Sequence, residues 1–537
     1  MDWGSARTAV EELQAAVDRR AGNLAAECVL DGRLSTARLD EHQESVYRLA
    51  FLATEAAAAS AMVGYGRRGE AEGLLAHVAL ADLLRSARAR IDGHPGDSDL
   101  RTSAADEVLR AGSDPNLLDA VANLLPTLGS GPRHLPDDVE LVADTFGRFA
   151  REQVAPGAQA VHRENQDVPE AVITGMAAMG AFGMSIPSSY GGFQEPEASG
   201  ALPMVVATEE LSRGSLMAGS LLTRPEILVT ALLEGGTEEQ KHRWLPAIAA
   251  GEQMVAVAVT EPDYGSDVAA ITMVARRADD GFVLSGTKMW ATFAGRAELL
   301  MVLARTDPDR TAGARGLSLF VVEKPAFHGH EFEMEQPGGG RISGRAIDTI
   351  GYRGLHSFEV TFEDWRVPAD ALIGEDAGAG RGFYLQMGAF ASGRLQTAAR
   401  ALGVMEAAFT EGLRYSTERS VFGRRLFDYP LTRATLARMA ARIQTGRRLT
   451  YAAAAVLESR EGQSLAAMAK ALTSRTAETV TRDAMQLHGG YGYAEEYPVS
   501  RLFVDARVLS IFEGTEEVLA LRVIARDLVG GAGQSRG

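Results

Sequence analysis

The stretch MVAVAVTEPDYGSD, residues 254–267, is where the chain changes from a helical to a β character. Its apolar, β-branched start leads into a turn with Thr260 and a Gly-Ser-Asp sequence. The segment GFVLSGTKMWAT (281–292) follows, and Asp280-Gly281 is a turn at its start. Short β-branched and aromatic runs separated by turns are typical of strands. Further runs of this kind are ITMVARRA (271–278), LLMVLART (299–306), LSLFVVE (317–323) and FEVTFED (358–364). We therefore expect an antiparallel β domain over residues 254–377.

Helical patterns flank this β domain on both sides. We predict an N-terminal helical extension over 1–133, a helical domain over 134–253 and a helical bundle over 378–537. The segment GSGPRHLP (129–136) is the expected linker after the extension, and IPSSYGGFQEPEASG (186–200) is an expected loop. The fold class is therefore α+β and mostly α, without the strand–helix alternation of a parallel sheet. A final helix is predicted to carry Val518, Leu521, Ile524 and Leu528 on one face.

The composition excludes several classes of function. The 537 residues carry a net charge of −17, which argues against nucleic acid or an anionic membrane as the main partner. The single cysteine, Cys28, rules out an intrachain disulfide and fits a reducing compartment. We see no signal peptide and no apolar run near ~20 residues, so we expect a cytoplasmic protein without a membrane span. No histidine pair has a recognised metal-ligand spacing, so we expect no metal.

Two glycine-containing segments superficially resemble nucleotide-binding motifs. GFVLSGTK (281–288) has the order Gly-Thr-Lys and lies in a strand-like segment, so we interpret it as part of a hairpin. GGYGY (489–493) follows a helix and not a strand, which excludes a Rossmann fingerprint.

Three other segments carry chemistry when they are taken together. AVTEPDYGSD (258–267) can present backbone N–H groups to a polar cofactor edge, although alone it is also consistent with a capped turn. KMWAT (288–292) ends a strand with an indole and a hydroxyl, and its plainer interpretation is a core tryptophan. QLHGGYGYAEEYPVSRLFVDAR (486–507) precedes IFEGTEE (511–517), whose acidic residues also suit a helix start.

In this order and at these spacings, the three segments resemble the acyl-CoA dehydrogenase family. GTEEQKHRWLP (236–246), GYRGLHSFEVTFEDWRVP (351–368) and ERSVFG (418–423) add to the resemblance, which covers residues 137–530. It implies a helical domain, a β domain and a four-helix bundle, with FAD between the β domain and the bundle. One departure is Tyr264, where most members have a small residue.

The resemblance also implies a set of cofactor-binding residues. Thr260, Ser266, Trp290 and Thr292 match positions that contact the flavin from the β domain. Arg419, Phe422, Gln486 and Gly490 match positions that reach the FAD of a partner subunit, and Thr515 and Glu517 match positions at the adenosine side of the cofactor. Because the FAD site is shared, the resemblance implies a homo-oligomer of at least two subunits.

The catalytic base implied by the resemblance is Glu513. Some members carry the base just before an arginine of an earlier helix, but here that position is Gly393, before Arg394. A glycine cannot accept a proton, so Glu513 is the candidate, with Arg394 supporting the active-site loop. Removal of the weakly acidic α-proton of a thioester requires a positioned carboxylate and stabilisation of the developing enolate oxygen.

Within the family, the similarity is greater to members that act on a short branched dicarboxylyl-CoA. It rests on the long extension and on SLLTRPEILVTAL (220–232), ARTDPDR (304–310), GRAIDTIGYRG (344–354), GRLQTAARALGVM (393–405) and FVDARVLSIFEG (503–514). The implied reaction, a step of the ethylmalonyl-CoA pathway, converts (2S)-methylsuccinyl-CoA to mesaconyl-CoA and passes electrons to an electron-transfer flavoprotein. Thr223 and Arg224 fall where the family lines the far end of the acyl pocket. An arginine there is suited to bind a free carboxylate, unless it pairs with nearby Glu226 on a helix surface.

Three alternatives stay open. A glutaryl-type or short branched-chain acyl-CoA dehydrogenase is the alternative substrate class. An oxygen-reactive flavoenzyme of the same fold is a second alternative, although such enzymes as a rule lack the glutamate base. A non-catalytic flavoprotein scaffold that binds a partner through residues 1–130 is the third. Family members without extensions are commonly tetramers, and an extension docked on the bundle would block the second dimer, so we expect a homodimer.

Overall fold

The computed structural model describes residues 3–94, 96–194 and 200–534. Part of the predicted loop 186–200, residues 195–199, lies outside this range, as do the ends of the two predicted terminal domains. The chain forms two compact units. The first comprises Met1–Ala143, Gly200–Val205 and Thr397–Gly537, and the second comprises Asp144–Ser199 and Val206–Gln396.

Helices occur in both units and predominate in the first. In chain order they are α1 (Trp3–Cys28), α2 (Thr36–Glu41), α3 (Gln43–Gly66), α4 (Glu70–Ile91), α5 (Ser103–Gly112), α6 (Pro115–Leu128), α7 (Asp137–Phe149), α8 (Ala155–Arg163), α9 (Glu170–Ala178), α10 (Leu202–Gly214), α11 (Leu216–Leu221), α12 (Thr223–Gly235), α13 (Glu238–Ala249), α14 (Glu375–Gly378), α15 (Gly382–Glu418), α16 (Pro430–Ala455), α17 (Arg460–Leu487), α18 (Pro498–Leu509), α19 (Glu516–Val518) and α20 (Ala525–Gln534). The predominance of helix confirms the predicted fold class.

The strands, in chain order, are β1 (Val29–Leu30), β2 (Arg33–Leu34), β3 (Val255–Ala258), β4 (Val274–Ala278), β5 (Gly281–Thr292), β6 (Leu299–Arg305), β7 (Leu317–Glu323), β8 (Glu331–Glu335), β9 (Arg341–Ala346), β10 (Ser357–Pro368), β11 (Ser420–Val421) and β12 (Arg424–Arg425). Eight of them form one sheet in the order β3-β6-β4-β5-β10-β9-β8, and β7 pairs with β6.

The sheet corrects the prediction of a purely antiparallel β domain. β3 runs parallel to β6 over four residue pairs, and β4 meets β6 in parallel at Val274 and Arg305. Parallel pairing needs a long crossover, and the chain between β3 and β6 provides it with β4 and β5. The remaining pairs in this sheet are antiparallel.

The extension docks on the bundle helices within the first unit. α16 packs against α3, α4 and α6, and α20 packs against α1. The predicted linker 129–136 is held in place, because Gln444 donates to the carbonyl of Gly131 at 2.9 Å and Arg448 donates to that of Arg133 at 2.8 Å. Buried Ser130 bonds the carboxylate of Glu406. The extension is therefore a fixed part of this unit, as predicted, and does not swing on a linker.

The core of the second unit joins the sheet to helices α12 and α13. Leu232 and Trp244 from these helices pack in one apolar cluster with Leu303 of β6 and Leu319 of β7. The N-terminus of α13 is fixed by a capping box, in which Thr237 and Gln240 satisfy each other's backbone N–H groups.

Within the described residues, two helical stretches have the length and composition to cross a membrane, namely Gln43–Gly66 and Leu216–Gly235. The expectation that no apolar run approaches this length is therefore wrong. Most of each stretch is buried inside the protein, and core helices have the same composition.

The buried face of the last helix differs from the predicted one. Between α19 and α20 the chain forms a π-helical segment, Leu519–Ile524. The wider turn shifts the register, so Leu519, Ala520, Ile524, Ala525 and Val529 are the buried residues of this region. Of the four residues predicted to share the face, only Ile524 is fully buried.

Candidate active site

Two buried charges hold the turn that follows β3. The Lys288 ammonium donates to the Glu261 carboxylate at 2.9 Å and to the carbonyl of Val259 at 3.0 Å. The same carboxylate accepts the backbone N–H groups of Thr272 and Met273. Burial lowers the pKa of Lys288 to about 8. Burial alone would raise the pKa of Glu261, but the Lys288 charge and the two N–H groups outweigh it and hold this pKa below its usual value.

This turn places Thr260 and Ser266 at either end of a tight loop. The carbonyl of Thr260 accepts the N–H of Met289 on β5 at 2.8 Å. Glu261 and Tyr264 close the loop with two backbone hydrogen bonds, and Ser266 is exposed just beyond it. An exposed Gly-Ser backbone on a rigid turn can meet a polar ligand, as the sequence predicts.

Trp290 sits on a β-bulge. Lys288 faces Val360 and Ala291 faces Phe358, so Met289 and Trp290 together oppose the single residue Glu359. Trp290 has a φ of 59°, and its side chain is 53% exposed. Bulges redirect side chains and often lie next to active sites. The structure therefore rules out the core-tryptophan interpretation and presents an indole at the surface of this unit.

Thr292 ends β5 two residues after the bulge. Its hydroxyl lies 2.8 Å from that of Ser357, and both side chains are buried. Thr260, Trp290 and Thr292 thus lie at one end of β5, held by the same backbone pairing.

A cleft of about 500 Å³ in the first unit gathers three of the four residues predicted to reach a partner's cofactor. Arg419, Gln486 and Gly490 line it, together with Tyr415 and His488. The His488 ring stacks on Tyr415 at 4.2 Å, and burial lowers the pKa of His488, so the ring is neutral near pH 7. Sequence reasoning assigned no role to Tyr415 or His488. His488 lies between Gln486 and Gly490 in the quoted segment 486–507, whereas Tyr415 is brought to the cleft by the fold.

The fourth residue, Phe422, lies at the tip of the β11–β12 hairpin. Phe422 and Gly423 both have positive φ, 49° and 84°, as a two-residue hairpin turn requires. The Phe422 side chain is 98% exposed. A fully exposed phenylalanine at a hairpin tip is suited to contact a second molecule.

Glu513 lies in the short loop between α18 and α19. Its φ is 54°, a left-handed conformation that is strained for a glutamate, and Gly514 follows with a φ of 90°. Thr515 caps α19 by accepting the N–H of Val518 at 3.3 Å, and Glu517 lies exposed in the same helix. Among the described residues, neither the carboxylate nor the backbone N–H of Glu513 has a hydrogen-bond partner. Both groups are thus available to a bound molecule.

Two fully buried cations hold this loop, and sequence reasoning missed both. The Lys470 ammonium, on α17, donates to the carbonyl of Gly514 at 2.5 Å. The Arg400 guanidinium, on α15, lies over the ring of Phe512 at 4.6 Å and donates to Thr397 at 2.7 Å. Arg400 therefore contacts the residue before Glu513, and Lys470 contacts the residue after it. Arg394 belongs to the second unit, so its pairing with Glu513 stays a prediction.

Arg224 is a buried cation near the start of α12. It is 6% exposed, and its guanidinium donates to the carbonyl of Ser220 at 2.9 Å and to the hydroxyl of Tyr352 at 2.8 Å. Within the described part of the chain, no carboxylate pairs with it. The adjacent Thr223 hydroxyl is also buried and has no hydrogen-bond partner among these residues.

Glu226 does not pair with Arg224, and neither side chain lies on a helix surface. The Glu226 carboxylate accepts from Gln396 at 2.6 Å. Burial raises the pKa of Glu226 to about 7. The interpretation of Arg224 as a surface ion pair is therefore wrong, because residues two positions apart on a buried helix point in nearly opposite directions.

Comparisons with known proteins identify the family. Residues 136–252, 256–365 and 380–529 match the N-terminal, middle and C-terminal domains of acyl-CoA dehydrogenases, respectively. The chain belongs to the acyl-CoA dehydrogenase family. It is an oxidoreductase that acts on CH–CH bonds, and its relatives bind FAD. The matched domains begin at residue 136, so the helical extension is an addition to the family fold.

Three relatives illustrate the range of similarity. The chain is 37% identical to (2S)-methylsuccinyl-CoA dehydrogenase from Cereibacter sphaeroides, over 98% of this chain and 97% of that protein. A chain of the structure described as "Electron transferring flavoprotein of Acidaminococcus fermentans: Towards a mechanism of flavin-based electron bifurcation" is 32% identical, with a TM-score of 0.66 over 74% of this chain and 99% of that one. A glutaryl-CoA dehydrogenase from Mycobacterium smegmatis in complex with FADH2 is 25% identical, with a TM-score of 0.64 over 73% and 95%.

Considered separately, each unit offers features suited to a dinucleotide such as FAD. The second unit offers the bulged indole of Trp290 and the exposed Ser266 turn. The first unit offers the cleft with Arg419, Gln486 and Gly490. These features suit the aromatic and anionic parts of a dinucleotide.

Proposed function

We propose that this acyl-CoA dehydrogenase oxidises (2S)-methylsuccinyl-CoA to mesaconyl-CoA and passes the electrons to an electron-transfer flavoprotein. The observation that supports this choice of substrate is the state of Arg224. Its guanidinium is buried and has no carboxylate partner among the described residues. An unpaired buried charge is costly, so an anionic ligand is the expected partner. The free carboxylate of a dicarboxylyl-CoA has the charge and the planar shape to bind it bidentately, and the Thr223 hydroxyl offers a further donor.

The full-length similarity to a (2S)-methylsuccinyl-CoA dehydrogenase supports the same choice, because it includes the extension. The structure related to an electron transferring flavoprotein supports the proposed acceptor. The similarity to a glutaryl-CoA dehydrogenase keeps a linear dicarboxylyl-CoA as the second candidate, since Arg224 suits either carboxylate.

In the proposed reaction, the Glu513 carboxylate removes the α-proton of the thioester, and its own backbone N–H donates to the developing enolate oxygen. Arg394 supports the base loop, the loop between α18 and α19 that carries Glu513, electrostatically. FAD, when bound, supplies the acceptor for the β-hydride. Thr260, Ser266, Trp290 and Thr292 hold the flavin, Arg419, Phe422, Gln486 and Gly490 reach the cofactor of a partner subunit, and Thr515 and Glu517 lie at its adenosine side.

The test of the substrate is Arg224→Met, which keeps the volume and removes the charge. We expect kcat/KM for methylsuccinyl-CoA to fall by an amount that corresponds to about 2–4 kcal/mol of activation free energy. This is the scale of a buried charge left unpaired. Butyryl-CoA, which lacks the free carboxylate, should lose much less. An equal loss for both thioesters would show that Arg224 has a structural role and would contradict the proposal.

A further inference from the structure

Three metal-ligand side chains that have no assigned role in FAD or substrate binding converge in the second unit. Asp167 lies in the loop after α8, His330 comes just before β8, and His356 comes just before β10. One possible ligand atom from each lies within 4.8 Å of the other two. The three positions are far apart in sequence, so no local spacing reveals the cluster.

Asp167 and His356 are in close contact, and their relative angle departs from that of a well-aligned hydrogen bond. The His356 Nε2 atom lies 3.0 Å from Asp167 Oδ1, yet this buried nitrogen has no hydrogen-bond partner. Two ligands of one ion, each about 2.0–2.2 Å from it, lie roughly 3–3.5 Å apart. The observed separation is that of an ion pair and equally that of two ligands of one ion. His356 is 7% exposed, so water offers little compensation for its unused nitrogen.

The other polar atoms of two of these side chains are already engaged. Asp167 Oδ2 accepts the N–H of Gly329 at 2.7 Å. His330 Nε2 lies 3.1 Å from the carbonyl of Asn165, which leaves Nδ1 as the ligand atom. Metal-binding histidines usually donate their second nitrogen to a carbonyl or carboxylate, and ligand carboxylates are likewise hydrogen-bonded. These contacts orient the ligands in advance.

We propose that Asp167, His330 and His356 bind one Zn²⁺ ion, with water in the fourth position. Two imidazole nitrogens and one carboxylate oxygen suit zinc in both ligand type and number.

The ion would tie the loop around Asp167 to the starts of β8 and β10. This loop already docks there, because the N–H of Val168 donates to the carbonyl of Gly354 at 2.7 Å. Ser357, next to His356, bonds the hydroxyl of Thr292. The zinc is therefore a structural clamp beside the proposed flavin-binding strand and takes no part in the redox reaction.

The test uses the tag-free, FAD-loaded full-length protein after treatment with a chelator. Titration calorimetry with ZnCl2 should give one equivalent bound, and zinc should raise the Tm. His330→Gln and Asp167→Asn should each weaken zinc binding at least about 10-fold and abolish the Tm shift. Both positions are solvent-accessible, so the variants are expected to fold.

The matched control is His328→Gln, an exposed histidine of the same loop that is not a ligand in this geometry. It should bind zinc as the unaltered protein does. The proposal is overturned if no stoichiometric binding occurs at up to about 100 µM zinc. It is equally overturned if His330→Gln binds as tightly as the unaltered protein, because the zinc then lies elsewhere.

Discussion

Glu513 offers both groups that the proposed reaction needs, a carboxylate to take the proton and a backbone N–H to bind the enolate oxygen. Its strained, left-handed backbone places the carboxylate and the N–H of the same residue in one loop, both without partners among the described residues. We predict that Glu513→Gln keeps FAD and the fold but slows reduction of the flavin by substrate roughly 10²–10⁴-fold. The amide is nearly isosteric but cannot take the α-proton. Anaerobic flavin bleaching measures this step, and bleaching at the unaltered rate would remove Glu513 from the role.

Glu226 makes stability depend on pH. Its pKa is raised to about 7 in the folded protein and lies near 4.5 when it is unfolded, so the folded state holds a proton that the unfolded state releases. Its contribution to stability is therefore fully present below about pH 4.5, falls as pH rises to about 7, and stays low above that.

We predict that Glu226→Gln removes this component. As the pH rises from about 5 to about 7, the Tm of the variant should increase relative to the Tm of the unaltered protein. The exposed Glu239→Gln is the control and should track the unaltered protein. A difference that stays constant with pH would mean that Glu226 is ionised throughout this range.

At the level of residues, the sequence indicates which groups matter but not how they are held. Trp290 and Glu513 stand out by motif, yet the bulge and the positive φ that present them depend on pairing with β10 and on packing of the loop. Lys470 and Arg400 have no motif of their own. They become relevant only because α17 and α15 bring them to the base loop.

The base loop is an element whose position depends on Lys470. We predict that Lys470→Met lowers kcat by about 10–100-fold while the FAD content is unchanged, because a small displacement of a base has an effect on this scale. Lys470→Arg, which keeps a cation and donors, should restore part of the rate. Lys241→Met, which removes a partly buried lysine of α13 paired with Glu238, is the control and should have no effect on kcat. Equal rates for Lys470→Met and the unaltered enzyme would contradict a positioning role.

Strands and helices differ in how well their patterns predict them. β5 and β7 have the predicted bounds because their apolar runs are buried on the sheet. β8 and β9 were not predicted, since their charged and glycine-rich residues suit an edge hairpin and give little hydrophobic signal. The π-helical segment in the last helix depends on tertiary packing, so a regular helical period places the wrong face inward.

Over the whole molecule, the extension covers the face of α16 and α17. Arg433 of α16 donates to Asn123 of α6, and Arg475 of α17 lies over Phe51 of α3. We predict that the full chain is a homodimer, because this face is not available for a second dimer. Light scattering measures the mass, and a tetramer would contradict the prediction.

Deletion of residues 1–130 tests the docked extension directly. It would uncover apolar surface on α16 and α17, so we expect aggregation or a higher-order oligomer. A clean, fully active dimer after the deletion would show that the extension is an independent appendage.

The central claim is that this chain is a dehydrogenase for a short branched dicarboxylyl-CoA. The most direct measurement is anaerobic mixing of the FAD-loaded enzyme with a panel of CoA thioesters, while the flavin absorbance and the products are followed. The account predicts that (2S)-methylsuccinyl-CoA bleaches the flavin fastest and yields one mesaconyl-CoA per flavin reduced. Faster bleaching by butyryl-CoA or glutaryl-CoA, with little or none by methylsuccinyl-CoA, would contradict it.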